Sequence, residues 1–244
     1  MSALTLTSAA FSAKQLKVGG VTPFSATDYP GKLAAVIFVQ GCPWRCGYCH
    51  NPHLQMRSDA SPVDWQQVLK LLKRRVGLID AVVFSGGEPT MDAALEDAIR
   101  GVRALGFDIG LHTAGAYPRR LNEVLPLVDW VGIDIKTTIE AYDDITGISD
   151  SARLALASAQ VVLSSGVAHE FRSTVHPALQ TPKEILTLAR TLSAMGVRNY
   201  ALQRFRNTGC ADEDLTASSN VGYPGAELVA QVSALFAEFT LRDA

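Results

Sequence analysis

The sequence predicts an α/β protein built as a partial (β/α)6 barrel of the TIM type. Three observations carry this. Six short apolar runs alternate with six longer stretches whose apolar residues recur every three and four positions. Such alternation implies parallel strands joined by right-handed crossovers. The chain has 244 residues, which suits six such units better than a complete eight-fold barrel.

The elements follow in order. Residues 1–20 are small and polar and read as an N-terminal lead-in, leaving 21–244 as one domain. Asp28-Tyr29-Pro30-Gly31 reads as a turn, because Pro presets φ and Gly tolerates positive φ. Ala34 to Val39 is apolar, partly β-branched and bounded by turn signals, so it reads as a buried strand. Ala81 to Phe84, Phe107 to His112, Trp130 to Ile135, Glu170 to Val175 and Tyr200 to Phe205 repeat that pattern. Helical spacing fills Val63 to Val76, Met91 to Leu105, Pro118 to Leu127, Ala152 to Ser165 and Pro182 to Met195. A last helix is expected over Gly225 to Phe239.

Composition narrows the function classes. Apolar residues make up 48%, enough for a sizeable core, and a net charge of −2 lacks the basic excess of a nucleic-acid binder. No apolar run is long enough to span a membrane. Residues 1–20 show neither the basic start nor the apolar stretch of a secretory signal. Four cysteines in such a chain argue against a disulfide scaffold and suit a reducing cytoplasm, where thiols serve as metal ligands or catalysts.

Three of those cysteines share one loop. The first strand runs into Gln40-Gly41-Cys42-Pro43-Trp44-Arg45-Cys46-Gly47-Tyr48-Cys49-His50-Asn51, a C-x3-C-x2-C spacing. Spacings this short let three thiolates wrap one centre, and iron–sulfur clusters need such soft ligands. A [4Fe–4S] cluster normally takes four cysteines. With three, one iron stays open, which suits a metal that must bind a substrate directly. Three other readings compete. Cys46 to His50 matches a c-type haem attachment site, which leaves Cys42 unexplained. Cys3His suits a structural zinc. Buried inert thiols are the third, disfavoured by three cysteines in eight residues of a Gly- and Pro-containing loop. Cys210 lies far along the chain; it is either a fourth ligand or, as favoured here, an ordinary thiol near the barrel mouth.

In this architecture chemistry gathers at the carboxyl ends of strands. The second strand ends in Ser85-Gly86-Gly87-Glu88-Pro89-Thr90, where glycines permit close backbone approach and Glu88 offers a carboxylate to a cationic group. The plain alternative is a βα turn with Pro at a helix start. The third strand ends in His112-Thr113-Ala114-Gly115, which alone reads as a turn. The fourth ends in Asp134-Ile135-Lys136; alternation puts Asp134 and Lys136 on one face, either as a mutual ion pair or as contacts to a polar ligand. On the fifth, Arg172 and Thr174 share a face; Arg172 suits a carboxylate ligand or a structural pair with Glu170. The sixth ends in Gln203-Arg204-Phe205-Arg206-Asn207, a polar end suited to a partner. His53, His112 and His169 read as surface or hydrogen-bonded histidines.

The Cys42/Cys46/Cys49 loop with Tyr48, Gly86-Gly87-Glu88-Pro89 and Asp134-Ile135-Lys136 together resemble the radical S-adenosylmethionine (SAM) superfamily. Asp28-Tyr29-Pro30-Gly31-Lys32, Gln40-Gly41-Cys42, Cys49-His50-Asn51-Pro52 and Glu170 to Val175 look like the activating proteins of glycyl-radical enzymes, nearest to the short type that serves anaerobic ribonucleoside-triphosphate reductase. The resemblance runs from about Val18 to Phe205.

That resemblance implies a [4Fe–4S] cluster on Cys42, Cys46 and Cys49, with SAM chelating the fourth iron. It implies Tyr48 by the adenine, Gly86, Gly87 and Glu88 by the methionine amino group, and Asp134 and Lys136 at the ribose and carboxylate end. His50, Thr113 and Arg172 complete the implied cofactor contacts. One electron would cleave SAM to methionine and a 5′-deoxyadenosyl radical, which takes hydrogen from a glycine of a partner enzyme. A flavodoxin- or ferredoxin-type donor would supply the electron. The protein would orient the reactants and exclude water while the cofactor does the hard step. The family often has Thr-Asn-Gly after the third strand; Ala114 replaces that Asn, which puts a side-chain ligand role there in doubt. No second cysteine set provides further clusters. The alternative is a radical SAM enzyme with a small-molecule substrate, such as a 7-carboxy-7-deazaguanine synthase-like reaction.

Overall fold

The structure, a computed structural model, describes residues 16–243. The first fifteen residues of the expected lead-in therefore lie outside the described residues, and Val18–Gly20 already belong to a strand. The elements run β1 (Val18–Ser25), β2 (Ala34–Val39), α1 (Trp65–Lys73), β3 (Ala81–Gly86), α2 (Leu95–Arg103), β4 (Asp108–Thr113), α3 (Pro118–Val124) and β5 (Trp130–Asp134). They continue α4 (Tyr142–Thr146), α5 (Ser151–Ser165), β6 (Ala168–Val175), α6 (Pro182–Ala194), β7 (Asn199–Arg204), α7 (Glu213–Ala217), α8 (Ala226–Ser233) and β8 (Glu238–Arg242).

The strands form one sheet in sequence order. β2 to β8 pair in parallel, and β1 pairs antiparallel with β2. The six expected strands are thus the centre of a partial barrel that stays open between β1 and β8. Both edge strands escaped the sequence reading. β1 carries Gly19, Gly20 and Pro23, which read as turn signals, yet Pro is tolerated on an edge. β8 lies inside and beyond the last expected helix, which stops at Ser233 instead of reaching Phe239. Four other expected helices shorten: to Trp65–Lys73, Leu95–Arg103, Pro118–Val124 and Pro182–Ala194. Pro89–Met91 and Leu125–Leu127 form separate 3-10 turns. The starts follow caps: Asp64 accepts from Gln66 N and Gln67 N, and Thr181 and Glu184 form a reciprocal capping box.

Strand alternation splits the core in two. Ala35, Ile37, Val39, Val82 and Phe84 pack in the large cluster with the helical residues Leu95, Ile99, Leu188 and Leu192. Ala34, Val36, Ala81, Val83, Tyr29 and Trp130 form a smaller cluster on the opposite face, inside the barrel. The rest of the interior is polar: His112, Asp134, Glu170, Arg172 and Arg242 interact there. Gly132 makes room for this, since a Cβ there would lie 2.8 Å from the Arg172 guanidinium carbon.

Candidate functional site

The cysteine loop leaves the carboxyl end of β2, where the architecture puts chemistry. Its backbone is fixed from three sides. Gly41 N donates to Leu54 O (2.8 Å), Cys42 N to Gln55 O (3.1 Å) and Arg45 N to Thr146 O (2.7 Å). Cys42, Cys46 and Cys49 are all free thiols; Cys46 is buried and the other two half-buried. Burial pushes the Cys42 thiol up to about 12, with Glu88 adding to it, and burial also raises Cys46. Both stay protonated until a cation binds, because metal coordination deprotonates thiols outright.

Among the described residues, no three His, Cys, Asp or Glu side chains close on a point fit for a single metal ion. A tetrahedral zinc needs its ligands within about 2.3 Å of one centre. A multi-iron cluster places each thiolate on its own iron and so accepts wider spacing. The donor set of three free thiols on one anchored loop fits a cluster better than a zinc. His50, the would-be fourth zinc ligand, points elsewhere: its Nε2 lies 3.0 Å from Arg206 O and its ring stacks on Phe205 at 5.4 Å.

The Gly86-Gly87-Glu88 turn seats this loop. Gly86 has φ +120°, and a Cβ there would run into the Val39 backbone; one on Gly87 would strike Gly41 O. Gly87 N donates to Val39 O (2.9 Å) and Glu88 N to Gly41 O (2.8 Å). The glycines therefore bring β3 against the root of the cysteine loop, and these two N–H groups serve that contact rather than a ligand. The Glu88 carboxylate is wholly buried. It accepts from Thr90 N and Oγ1, from Thr113 Oγ1 at both oxygens (2.8 and 2.9 Å), and from Ala114 N (2.8 Å). Burial raises its pKa although every one of those bonds works the other way. Thr113 is correspondingly committed to Glu88, and the Thr113-Ala114-Gly115 turn is held through backbone rather than an Asn side chain.

On β5, Asp134 and Lys136 do not pair with each other. Asp134 Oδ1 accepts from Arg172 Nε at 2.8 Å, and the Asp134 side chain keeps 39% exposure. Burial works to raise its pKa, and Arg172, Lys136 and His112 overcome this and lower it. The Glu170–Arg172 pair does not form either: Glu170 pairs with Arg242. Their alternation on one strand holds them two residues apart, while each finds a partner across the interior. Lys136 Nζ lies 3.3 Å from Tyr48 Oη and sits over the Tyr48 and Trp44 rings at 5.2 and 5.9 Å.

The segment after β7 covers the loop from outside. Besides the His50–Arg206 contact, Cys210 Sγ approaches Gly47 O at 3.6 Å, between Cys46 and Cys49. A Cβ on Gly209, at φ +90°, would lie 2.6 Å from His50 O. Arg204 and Asn207, expected to face a partner, bond instead to Tyr223 O and Thr216 O. The sequence reading passed over Trp44, Arg242 and Gly209; only the position of Trp44 between two cysteines pointed to the site. His112 Nε2 lies 2.8 Å from Asp28 O, His169 Nδ1 lies 2.7 Å from Val167 O, and His53 is exposed.

Comparison with known proteins is consistent with this arrangement. A family model described as "Radical SAM superfamily" matches residues 36–192. A protein of Methanocaldococcus jannaschii named as a glycyl-radical enzyme activating enzyme is 29% identical over 207 residues, 81% of this chain and 83% of its own. The pyruvate formate-lyase-activating enzyme of Clostridium pasteurianum is 31% identical over 137 residues, 54% of this chain and 57% of its own. The crystal structure of Streptococcus suis SuiB bound to S-adenosylmethionine superposes with a TM-score of 0.65 at 13% identity. It is matched over 84% of this chain, which spans only 48% of SuiB, and the likeness speaks for the fold.

Proposed function

We propose, from the premise that this chain belongs to the radical SAM superfamily, that it is the activating enzyme of a glycyl-radical enzyme. Enzymes of this superfamily use a [4Fe–4S] cluster and SAM. One observation carries the assignment of this chain's residues: three free thiols on one loop, stitched at its root to the Gly-Gly-Glu turn. In this reading Cys42, Cys46 and Cys49 hold the cluster.

When bound, cluster and SAM supply the electron and the hydrogen-abstracting radical. The chain's own residues position and shield them. Asp134 has one oxygen engaged by Arg172 and a part-exposed side chain, which suits a ribose hydroxyl. Arg172 keeps that carboxylate oriented and charged. Gly86 and Gly87 shape the turn beside the methionine end, and Glu88 and Thr113 lock the two strand-end turns together. Tyr48 forms a wall of the site, and His50 ties the loop to the segment after β7.

A protein substrate rather than a small molecule is supported by the likeness to the glycyl-radical enzyme activating enzyme of Methanocaldococcus jannaschii. The partner we favour is anaerobic ribonucleoside-triphosphate reductase, because the chain's overall resemblance is nearest to the short activating proteins of that type; a flavodoxin- or ferredoxin-type donor would reduce the cluster in the cytoplasm. Among the described residues no helix is long and apolar enough to cross a membrane.

The test is anaerobic reconstitution with iron and sulfide, then dithionite and SAM. The expected result is 5′-deoxyadenosine, and a glycyl-radical EPR doublet on added anaerobic ribonucleotide reductase. Loaded enzyme that yields no 5′-deoxyadenosine rejects the enzyme reading. 5′-Deoxyadenosine without a radical on any glycyl-radical enzyme rejects the activase reading.

A further inference from the structure

Side chains hold the backbone of Lys136 where the sheet stops holding it. The pairing of β5 with β6 ends at Asp134 and Arg172. One further backbone bond follows, from Ile135 N to Arg172 O at 2.9 Å, and Ser173 Oγ then donates to Ile135 O. At Lys136 the N–H donates to Tyr142 Oη (3.3 Å), and the C=O accepts from Gln180 Nε2 (3.0 Å). Buried backbone groups need such partners, and here neither comes from a neighbouring strand.

Gln180 lies in the turn between β6 and α6 and is almost fully buried, with 3% exposure. Its NH2 divides between Lys136 O and Thr174 O (3.2 Å), and its Oε1 accepts from His176 N (3.1 Å). Both N–H donors of the carboxamide are spent on carbonyls, one at the end of each strand. The Gln180 backbone is fixed as well: its N–H donates to His176 O (3.0 Å), and its C=O accepts from Tyr223 Oη. The next residue, Thr181, caps α6. The carboxamide is therefore held in one orientation, and it ties the end of β5 to the end of β6 beyond the last paired residues.

We infer that Gln180 is a positioning residue for SAM: by holding the Lys136 peptide past the end of the ladder, it fixes the spacing of the Asp134 and Lys136 side chains that the cofactor spans. This role rests on the proposed contacts of Asp134 and Lys136 with the ribose and carboxylate end of SAM. The two side chains are oriented differently. Arg172 grips the Asp134 carboxylate directly at 2.8 Å. Among the described residues the Lys136 nitrogen has one hydrogen-bond partner, the neutral Tyr48 hydroxyl at 3.3 Å. The placement of Lys136 thus depends on its backbone, and a shift of about 1 Å there is enough to weaken a directed contact. A glutamine suits the task because only a side chain with N–H donors can bridge two carbonyls.

The experiment measures the SAM dissociation constant of the reconstituted enzyme with its cluster oxidised, so that no turnover occurs, by equilibrium dialysis of labelled SAM. Iron is counted per chain. The variants are Gln180→Met, Lys136→Met and the double. Gln180→Met is expected to weaken SAM binding roughly tenfold at unchanged iron content. The double variant is expected to bind no more weakly than Lys136→Met, since a residue acting through Lys136 has nothing left to position. Wild-type SAM affinity in Gln180→Met, or losses that simply add in the double variant, overturns the inference. Should Gln180→Met fail to fold or load, Gln180→Glu, which keeps the shape and drops the N–H donors, carries the same comparison. Failure of both to fold makes the role structural and overturns the inference too. Lys136→Met with wild-type SAM affinity instead defeats the reading of the β5 end as a cofactor contact.

Discussion

Arg242 grips Glu170 with both prongs of its guanidinium, at 2.7 Å on each carboxylate oxygen. The two residues lie on β8 and β6, with β7 between them. The pair therefore crosses the inside of the barrel and fastens the open edge to its interior. Glu170 is almost fully buried, with 4% of its side chain exposed, whereas Arg242 keeps 31%.

Removing Arg242 leaves a buried carboxylate unpaired, which costs more than the pair itself contributes. Arg242→Met is expected to lower unfolding free energy by about 2–3 kcal/mol. Adding Glu170→Gln should recover part of that loss, because the unpaired charge goes too. Urea unfolding of the wild type, both singles and the double checks this; a double mutant as unstable as the sum of the singles counts against the latch.

The Glu88 carboxylate only accepts, and every group facing it donates: Thr90 N and Oγ1, Thr113 Oγ1 and Ala114 N. Glu88→Gln turns one acceptor into an NH2 that faces N–H or O–H. The expected cost is about 2–4 kcal/mol, with cluster retention falling because the turn seats the cysteine loop. Chemical denaturation and iron content measure the two effects. A Gln variant of native stability would mean the carboxylate is not held as described.

How much of this was legible depends on the range of each interaction. The inner strands were readable because a strand buried on both faces, such as Ala34–Val39, is a continuous apolar run. The cysteine loop was readable because its chemistry is local in sequence. β1 and β8 were not, since edge strands lack the apolar run and Gly19, Gly20 and Pro23 imitate a turn. The actual partners of the strand-end charges were not legible for a related reason. Residues 134 and 136, or 170 and 172, are neighbours along one face of a strand, but Asp134 meets Arg172 on the adjacent strand and Glu170 meets Arg242 two strands away, which only the assembled sheet brings together. Gly209 gave no sequence signal because its partner, His50, is 159 residues away by subtraction of the two positions.

Gly209 lets the segment after β7 lie on the cysteine loop. An added Cβ would meet His50 O at 2.6 Å, and φ of +90° already disfavours any other residue. Gly209→Ala is expected to lift this segment, break the His50–Arg206 contact and cost about 1–3 kcal/mol locally. Amide exchange should accelerate through Cys46 to Asn51 while the strands stay protected. Unchanged exchange in the loop would show that the segment does not brace it.

His112 links stability to pH. Its Nε2 lies 2.8 Å from Asp28 O, and its ring meets Trp130 edge-on at 5.6 Å. Burial, with Arg172 adding to it, pulls its pKa from 6.5 down to about 4. Between those values the unfolded chain binds a proton that the folded chain refuses. Stability therefore rises with pH across that window, and acidification from about 6.5 to about 4 removes up to about 3 kcal/mol. Asp134 works in the same direction but lower: its depressed pKa gives stability that is present above 3.8 and lost as pH falls below it. The upper window is thus the histidine's. His112→Gln, which keeps a donor for Asp28 O, should flatten the stability profile between about pH 7 and about pH 5 while leaving the steeper fall below about pH 4 in place. Parallel profiles for variant and wild type would place the acid sensitivity elsewhere.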